Sequence, residues 1–428
     1  MKELAFGSAA WRRYLEALPR AGRPAPAVAR AVARILDAVR REGDAAVVRF
    51  TGRFDGVALT PARLRVPARE IREQARRADR ALRRSLAEMA ERIEAYHRRQ
   101  RDDGFRLRLE DGSVLQEVVR PLESAALYVP GGAGAYPSSV LMNAIPARVA
   151  GVERLVVVTP PRTLEASPAV AAALVQAGVT DGVYRVGGAQ AVAACAFGTR
   201  RLPAVAKIVG PGNAYVAEAK RQVRGRVEID QEAGPSEVVV LADETADAGF
   251  VAADLLAQAE HGSGFETVVL VTPSAALGAE VRRRVQEGLP AVANSAAARR
   301  ALARHGAVVR VRNVDEGVAA VNALAPEHAQ VLTRRAEEVA GRLVAGAVFV
   351  GPYAPVAVGD YGIGPNHVLP TGGSARHSSP LSVRDFVRRQ SLVRLTRAGL
   401  DRVRDGVVRV ALAEGFKGHA RSVLARFE

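Results

Sequence analysis

The chain has 428 residues, 48 % hydrophobic and 25 % charged, which is typical of a soluble globular protein and long enough for two or more domains. Its formal net charge is +16, but the basic excess lies in residues 1–120 and 384–428, whereas residues 121–383 are balanced. No helix-turn-helix, zinc finger or RNP-like strand accompanies the charge, so we interpret it as a solvated, arginine-rich surface and predict no nucleic-acid partner.

Targeting signals and cysteine usage indicate the compartment. No apolar run approaches the roughly 18 residues needed to cross a bilayer, and the opening sequence MKELAFGS lacks the apolar core of a signal peptide. We therefore predict a cytoplasmic protein with no membrane partner. The single cysteine, Cys195, excludes an intramolecular disulfide and a thiolate-rich metal site. It stands in the run AVAACAF and is interpreted as a small buried core residue.

The N-terminal part has helical patterns. Residues 1–24 contain a short helix around 11–18 followed by a proline-rich break, and we predict a helical arm that lies outside a core. Two helices are predicted over residues 27–54. Gly43 ends the first of them and Asp44 can cap the second.

A long helix and a hairpin come next. Pro67 opens a helical pattern that continues to about Arg99. Residues 105–110 and 114–119 alternate in polarity on either side of the dipeptide Asp111-Gly112, which predicts a β-hairpin.

After residue 121 the pattern changes to short apolar strands separated by helices. Such strands predict parallel sheets that are covered by helices on both faces. The predicted strands are 125–129, 155–159, 183–186, 206–209, 227–230, 238–241, 268–271, 307–311 and 347–350.

We therefore predict an α/β protein with two incomplete Rossmann-like domains built on parallel sheets. A faint repeat supports this fold, because the strands at 155 and 268 both end in Thr-Pro before an alanine-rich helix. The predicted parts are a helical arm (1–24), a larger Rossmann-like domain (25–127 and 237–381), a second Rossmann-like domain (128–236) and a mostly helical C-terminal domain (382–428).

Three loops rich in small residues follow strands of the 128–236 domain. They are Gly131-Gly132-Ala-Gly134, Gly187-Gly188-Ala-Gln190 and Gly210-Pro-Gly212-Asn213. Glycine lets backbone N–H groups approach a ligand, and the helix N-terminus after each strand favours a phosphate. None of the three matches a G-x-G-x-x-G or Walker motif. One such loop is only a turn, but three predict a nucleotide-sized ligand at the carboxyl edge of the sheet.

A metal or substrate site is suggested by residues 254–262, DLLAQAEHG, which have the pattern of an amphipathic helix ending at a glycine. Gln258 and His261 are three residues apart and would share one helical face, although a solvated cap is the common alternative. Asp360, in a long loop rich in Gly and Pro, and His419 could complete a set of nitrogen and oxygen donors. That set suits a divalent ion such as zinc, although Gln is an uncommon ligand.

The pair Glu327-His328 could carry acid-base chemistry. A histidine can accept a hydroxyl proton as a hydride leaves, and a glutamate can activate water for attack on a carbonyl. A capped turn after Pro326 fits the same tripeptide, which does not decide between the two. By contrast, we interpret His97, His305 and His377 as solvated, because they stand among arginines or serines.

In their order along residues 30–420, several blocks resemble the histidinol dehydrogenase family. The blocks are YVPGG at 128, GAQAVAA at 188, KIVGPGNAYVAEAK at 207, DQEAGPSE at 230, LLAQAEHG at 255, APEH at 325, GDY at 359, GPNHVLPT at 364, and Glu414-Gly with His419.

This resemblance implies a reaction and a set of sites. The reaction is zinc-dependent oxidation of L-histidinol to L-histidine via L-histidinal with two NAD+ reduced, the last two steps of histidine biosynthesis. One zinc ion per subunit would be held by Gln258, His261, Asp360 and His419, and NAD+ would contact Tyr128, Gln190 and Asn213. Glu327 and His328 match the acid-base pair. The matching substrate-binding positions are Ser236, Gln258, His261, His328, Asp360, His367, Glu414 and His419.

The resemblance also implies a homodimer with shared active sites. The C-terminal segment would cross to the partner, so that Glu414 and His419 complete the other subunit's site. Residues 128–236 would then be the NAD-binding domain.

Two other functions were weighed. The first is an NAD-dependent dehydrogenase of the same superfamily that acts on another small alcohol, such as a sulfonated diol. Glu414 and His367, which would contact the imidazole side of the substrate, favour histidinol. The second is a non-catalytic nucleotide- or nucleic-acid-binding protein, which the Glu327-His328 pair and the complete ligand set disfavour. No role is assigned to His377, and no catalytic role to Cys195.

Overall fold

The computed structural model describes residues 1–19, 25–131, 136–232 and 234–428. They form two compact units, one of Met1–Gln100 with Leu122–Phe386 and the other of Arg101–Pro121 with Val387–Glu428. Two glycines of the first predicted loop, Gly132 and Gly134, lie outside the described residues. In the described ranges, no helix is long and apolar enough to span a membrane.

The strands and helices follow in chain order. The strands are β1 (Lys2–Ala5), β2 (Phe105–Arg108), β3 (Val114–Pro121), β4 (Ser124–Tyr128), β5 (Arg154–Thr159), β6 (Val183–Arg185), β7 (Lys207–Val209), β8 (Glu228–Ile229), β9 (Glu237–Ala242), β10 (Thr267–Thr272), β11 (Gly306–Arg310), β12 (His328–Leu332), β13 (Ala347–Val350) and β14 (Val387–Arg394). The helices are α1 (Ala9–Ala17), α2 (Pro26–Glu42), α3 (Asp44–Asp55), α4 (Ala68–Arg76), α5 (Arg80–Arg98), α6 (Pro137–Ala150), α7 (Thr163–Ala166), α8 (Pro168–Gln176), α9 (Gly188–Phe197), α10 (Ala214–Val223), α11 (Ala248–Ala259), α12 (Ala275–Gly288), α13 (Ser295–Arg304), α14 (Val314–Leu324), α15 (Ala336–Ala340), α16 (Ala357–Asp360), α17 (Arg397–Ala413) and α18 (Lys417–Leu424).

A six-stranded sheet in the first unit has the order β1-β11-β10-β9-β12-β13, and its neighbouring strands are parallel. Its central strands are apolar on both sides because both faces are covered. Val239 and Leu241 face one core cluster with α1 and α14, whereas Val238 and Val240 face another with α11 and α12. The predicted parallel, helix-covered α/β fold is confirmed.

A five-stranded parallel sheet, β6-β5-β4-β7-β8, lies in the same unit. One of its faces is covered by α6 and α8 and the other by α9 and α10. Cys195 is fully buried in the second of these layers, as predicted, and burial raises the pKa of its thiol to about 12.

The helices before residue 100 pack differently from the predicted grouping of 25–127 with 237–381. Ile35 and Val39 of α2 pack with α9 on the five-stranded sheet, and Ile71 of α4 and Ile93 of α5 pack with α6 and α8 on its other face. The helices α2, α4 and α5 are amphipathic in sequence, but an apolar stripe does not specify which sheet it covers. The five-stranded sheet therefore carries α2–α5 in addition to residues 128–236.

The N-terminus also differs from the predicted arm outside a core. Residues 2–5 form β1, an edge strand parallel to β11, and α1 buries Trp11 and Tyr14 against the six-stranded sheet. The Tyr14 hydroxyl donates a 2.6 Å hydrogen bond to the carbonyl of His305. The long helix predicted from Pro67 is divided into α4 and α5, because the Asp79 carboxylate accepts from two N–H groups that open α5.

The second unit contains an antiparallel sheet, β14-β3-β2, and helices α17 and α18. The predicted hairpin is confirmed as β2 and β3. This unit differs from the predicted C-terminal domain, 382–428, because it includes Arg101–Pro121 and its C-terminal part begins at Val387. Its strand β14 has 8 residues.

Candidate active site

The predicted acid-base pair lies at the amino-terminal edge of the six-stranded sheet. His328 begins β12 directly after Glu327, and Glu237 begins the adjacent strand β9 directly after Ser236, with His328 opposite Val238. His328 therefore starts a central strand and is not part of a capped turn. The strand was missed because polar His328 and Gln330 interrupt an otherwise apolar segment.

Glu237 and Glu327 fix each other across the two strands. The N–H of Glu237 donates to Glu327 Oε2 at 2.9 Å, and the N–H of Glu327 donates to Glu237 Oε2 at 3.2 Å. Both side chains are buried. Ser236 also hydrogen-bonds to Glu327, and burial is the main cause that raises the pKa of Glu327 to about 8. The carboxyl group is thus placed to exchange a proton near neutral pH.

The imidazole of His328 has one fixed and one unpaired nitrogen. Nδ1 lies 2.9 Å from the carbonyl oxygen of Glu237, so Nδ1 carries the hydrogen and donates it. Nε2 is buried and has no hydrogen-bond partner among the described residues. Burial lowers the pKa of His328, and Phe349 packs against the ring with centroids 6.0 Å apart. A neutral ring in this tautomer presents Nε2 as a proton acceptor.

Gln258 and His261 stand at the end of α11. Gln258 is buried in the last turn, and its Nε2 has no partner in the described part of the chain. The helix ends at Ala259, so His261 lies in the following turn and not on the same helical face as predicted. The N–H of His261 still donates to the carbonyl of Gln258 at 3.4 Å, which keeps the two residues adjacent.

Asp360 comes from the long loop between β13 and β14, at the end of the short helix α16. His367 bonds to it, because Nδ1 donates to the Asp360 carbonyl at 3.1 Å while Nε2 lies 3.4 Å from Ser139 Oγ. Burial lowers the pKa of His367. The charges of His261 and Asp360 act on the pKa of Glu327, so the structure brings these residues into one site with the acid-base pair.

The donor set fits a metal ion only in part within one chain. No group of three or more His, Cys, Asp or Glu side chains in the described ranges is arranged to hold a metal ion. His261 and Asp360 supply two such donors, and the amide oxygen of the buried Gln258 could supply a third. Zinc accepts an imidazole, a carboxylate oxygen and a further ligand, so the set fits zinc if a fourth donor is added.

The remaining two predicted residues belong to the second unit. Glu414 follows α17, and His419 lies in α18 with its ring 5.0 Å from that of Phe416. Both are exposed within that unit. Their relation to the other predicted ligands stays a prediction.

The three predicted NAD+ contacts line a single cavity of about 930 Å³ at the carboxyl edge of the five-stranded sheet. The Tyr128 hydroxyl accepts the N–H of Gly188 at 2.9 Å, and Gln190 is buried with an unpaired Oε1 among the described residues. Asn213 Oδ1 caps α10 by accepting from Tyr215 and Val216, which leaves its NH2 group for a ligand.

A buried ion pair holds the loop that ends at Asn213. Lys220 and Asp230 form a salt bridge with both side chains almost fully buried. Lys220 Nζ donates to the carbonyl of Gly210 at 3.0 Å, and the N–H of Gly210 donates to Asp230 Oδ2 at 2.7 Å. Gly210 has φ of +109°, and a Cβ there would lie 2.3 Å from the Tyr128 carbonyl oxygen. The pair and the glycine therefore fix the loop against β4.

Sequence reasoning missed several residues around these sites. Glu237 orients the acid-base pair, and Ser139 contacts His367, yet neither stands in a chemical motif of its own. The cavity wall also includes Phe54 and Asp55 from the end of α3. The wrong placement of 25–127 hid this contribution, because α3 was not expected beside the five-stranded sheet.

Comparisons with known proteins agree with the fold. A profile of the histidinol dehydrogenase family matches residues 18–427. The histidinol dehydrogenase of Syntrophotalea carbinolica is 44% identical over 430 residues, which cover 100% of this chain and 99% of the relative. That of Cereibacter sphaeroides is 48% identical over 404 residues, which cover 94% and 93%. The crystal structure of histidinol dehydrogenase from Elizabethkingia anophelis has a TM-score of 0.92 at 31% identity, covering 100% of this chain and 98% of that chain. This chain therefore belongs to the histidinol dehydrogenase family.

Proposed function

We propose that this protein oxidises L-histidinol to L-histidine by way of L-histidinal in a zinc-dependent reaction that reduces two NAD+. The main support is the hydrogen-bonding pattern of His328. Its Nδ1 donates to a backbone carbonyl, and its buried Nε2 has no partner in the described part of the chain. Membership of the family supports the substrate. Converting a primary alcohol to a carboxylate with one water removes four electrons, which requires two two-electron acceptors.

His328 acts as the general base in both oxidations. In the first, Nε2 takes the hydroxyl proton of the alcohol, and in the second it takes a hydroxyl proton of the hydrated aldehyde. The hydrogen bond from Nδ1 to Glu237 holds the ring while Nε2 gains the proton. General base catalysis of this kind contributes about 10²- to 10⁴-fold to a rate.

Glu327 acts between the two oxidations. Its carboxyl group is held by the N–H of Glu237 and lies beside His328, with Oε2 3.5 Å from Nδ1. With a pKa raised by burial to about 8, it can take a proton from water as the water adds to the aldehyde carbon. The proton later returns to solvent, so the residue is unchanged after each cycle.

The metal site consists of Gln258, His261 and Asp360 of one subunit with His419 of another, one zinc ion per subunit. Zinc, when bound, would hold the substrate by its amino and imidazole nitrogens without changing its oxidation state. The position of Gln258 and His261 at the end of α11 and the placement of Asp360 beside His367 support this set. Ser236, His367 and Glu414 would hold the rest of the substrate.

NAD+ would bind in the 930 Å³ cavity and accept the hydride in each oxidation. Tyr128, Gln190 and Asn213 would contact it, and Gln190 brings a buried oxygen that lacks a protein partner among the described residues. The cavity lies at the carboxyl edge of a parallel sheet, where α/β proteins bind nucleotides.

The protein would work as a cytoplasmic homodimer. Helix α17 of the second unit exposes Val403, Val407 and Val410, which are spaced to form one apolar face. A partner subunit that covers this face would also receive His419.

Mixing His328→Asn and His419→Asn subunits should restore part of the activity, and no recovery despite proven subunit exchange would contradict shared sites.

The assignment of His328 can be tested with a matched pair of variants. His328→Asn should lower kcat by about 10²- to 10⁴-fold, because it removes the base. His377→Asn, at an exposed position outside the site, should leave kcat and the KM values for L-histidinol and NAD+ unchanged. If His328→Asn kept activity within a few-fold of the parent, the proposed role of His328 would be wrong.

A further inference from the structure

A buried amide side chain, Asn366, directly precedes His367, one of the proposed substrate-binding residues. Only 4% of Asn366 is exposed, although it lies in the long loop between β13 and β14. A primary amide has two donor hydrogens and one acceptor oxygen, and its burial is costly unless these groups are paired.

The amide of Asn366 has partners in three different parts of the chain. Nδ2 donates to the carbonyl of Met142 in α6 at 2.6 Å and lies 3.4 Å from His97 Nε2 in α5. Nδ1 of His97 carries the ring hydrogen, because it lies 2.7 Å from a backbone carbonyl oxygen, so Nε2 can accept from Asn366. Oδ1 of Asn366 accepts the N–H of Val368 at 2.9 Å. These contacts fix the backbone on both sides of His367.

Helix α6 also contacts His367 itself. Ser139 and Met142 are i and i+3 on this helix, hence on one helical face. Ser139 Oγ lies 3.4 Å from His367 Nε2, while Nδ1 of the same ring donates to the Asp360 carbonyl at 3.1 Å. Two consecutive loop residues are therefore placed against one face of α6.

Helix α5 supports the loop segment that leads to Asn366. Arg92 Nε donates to the carbonyl of Gly362 at 2.9 Å. A Cβ on Gly364 would lie 3.3 Å from the Cβ of Tyr96, so the loop backbone packs closely on the helix. Arg92 and Tyr96 are i and i+4 on α5, and His97 follows directly. The segment 362–366 thus runs along α5.

The two ring contacts of His367 are long in comparison with the main contact of Asn366. They measure 3.1 and 3.4 Å, whereas the hydrogen bond from Asn366 to Met142 measures 2.6 Å. The position of the ring therefore depends mainly on the backbone at 366–368, which the Asn366 amide holds.

We propose that Asn366 is a positioning residue that, together with His97, anchors the loop on α5 and α6 and so places the imidazole of His367 for L-histidinol. The proposal rests on the proposed role of His367 in substrate binding. The amide nitrogen and oxygen of Asn366 have protein partners, so the residue acts through His367 and not by contact with the substrate.

Removing the amide should weaken substrate binding selectively. Asn366→Ala removes all three contacts, so the backbone that carries His367 can shift. Partners that orient a ligand-binding histidine from outside typically contribute about 10- to 100-fold in affinity or activity, and the KM for L-histidinol should rise by this factor. The KM for NAD+ should stay unchanged, because residues 360–368 do not line the dinucleotide cavity.

The matched control is Asn322, which has a similar bonding pattern in α14. Its Nδ2 donates to the carbonyl of Arg342 at 3.0 Å, and its Oδ1 accepts the N–H of Val344 at 2.8 Å. Asn322→Ala also removes a bridging amide and should lower the stability in urea, but it should leave the KM for L-histidinol unchanged.

A double-mutant cycle separates positioning of His367 from general destabilisation. Initial rates give the KM for L-histidinol of the parent, Asn366→Ala, His367→Ala and the double variant. If Asn366 acts through His367, the double variant should match His367→Ala within about twofold. An equal rise from Asn366→Ala in both backgrounds, or an equal effect of Asn322→Ala, would overturn the proposal.

Two remaining outcomes also decide the question. If Asn366→Ala did not fold, Asn366→Asp would replace it, because aspartate keeps the size and the acceptor for Val368 but turns an oxygen toward the Met142 carbonyl. Its KM for L-histidinol should rise, and a parent-like value would overturn the proposal. If His367→Ala left this KM unchanged, the substrate role of His367 and the proposal would both be wrong, whereas additive effects in the cycle overturn the positioning role alone.

Discussion

Replacing Lys220 by Met tests whether the buried ion pair organises the dinucleotide cavity. The ammonium group pairs with Asp230 and donates to the carbonyl of Gly210 at 3.0 Å. Methionine has a similar length and no charge, so it fills the space but leaves the carboxylate unpaired. The variant therefore isolates the electrostatic contribution from that of packing.

The expected cost follows from what remains around Asp230. Breaking a buried ion pair on one side costs about 3–5 kcal/mol, because a charge is left uncompensated in a low-dielectric interior. Asp230 still accepts the N–H of Gly210 at 2.7 Å and its neighbour's N–H at 2.7 Å, so the lower end, about 3 kcal/mol, applies. The loop before Asn213 also loses the hydrogen bond from Lys220 to the carbonyl of Gly210, so the KM for NAD+ should rise.

Urea unfolding followed by circular dichroism measures the stability, and initial rates measure the KM. Lys207→Met is the control. Lys207 Nζ lies 3.2 Å from Asp385 Oδ1, and Asp385 is partly exposed, so solvent can stabilise the carboxylate that remains. The double variant Lys220→Met/Asp230→Asn should be about 1 kcal/mol or more less destabilised than the sum of the single variants. If Lys220→Met cost no more than Lys207→Met, the reasoning would be refuted.

Three further changes have defined outcomes. Burial lowers the pKa of His97 below its ordinary 6.5, so the unfolded state binds more protons and the free energy of unfolding decreases as the pH falls. In unfolding titrations from pH 7 to 5, His97→Gln should reduce the slope of this free energy against pH by up to about 1.4 kcal/mol per pH unit. An unchanged slope would contradict this reasoning. In Gly359→Ala the new methyl group should collide with the ring of Phe349 and lower kcat by up to about 100-fold. Gly406→Ala is the control, because the space around its Cβ is open, and it should leave kcat unchanged. Equal kcat values for the two variants would refute the packing argument. Tyr128→Phe removes the hydroxyl that accepts the N–H of Gly188 at the start of α9. The KM for NAD+ should rise several-fold, which corresponds to about 0.5–1.5 kcal/mol. An unaltered KM would show that the hydroxyl is dispensable.

The strands of the two sheets could be predicted because burial on both faces requires continuous apolar runs. β9 and β10, with their Val-rich sequences, are clear examples. β12 was missed because the polar residues His328 and Gln330 interrupt its apolar sequence. The sequence pattern thus failed at the position where chemistry replaces packing.

Tertiary placement was beyond the sequence patterns. The stripe on α5 predicts a buried face but not its partner, which is the layer of α6 and α8. His97 was expected to be solvated, yet it is buried, and its Nδ1 donates to the carbonyl of Ile93 at 2.7 Å. His97 lies four residues after Ile93 on the buried stripe of α5, so the helical spacing indicated its burial, and the interpretation from the neighbouring arginines was wrong.

The predicted site residues stand in motifs that are far apart in the sequence, and their roles stay a prediction. Glu327, His328, His261 and Asp360 come from distant parts of the chain and share one site. Glu237 was not found, because its role depends on the pairing of β9 with β12. Local sequence cannot show such a register, and only the folded sheet reveals it.

The number of NAD+ molecules reduced per substrate is the most direct test of the proposed activity. L-histidinol should be incubated with excess NAD+ and the NADH measured by its absorbance, beside a parallel reaction with a sulfonated diol. The account predicts two NADH per histidinol consumed, L-histidine as the product and no turnover of the diol. One NADH per histidinol with accumulation of the aldehyde, or preferential oxidation of the diol, would contradict it.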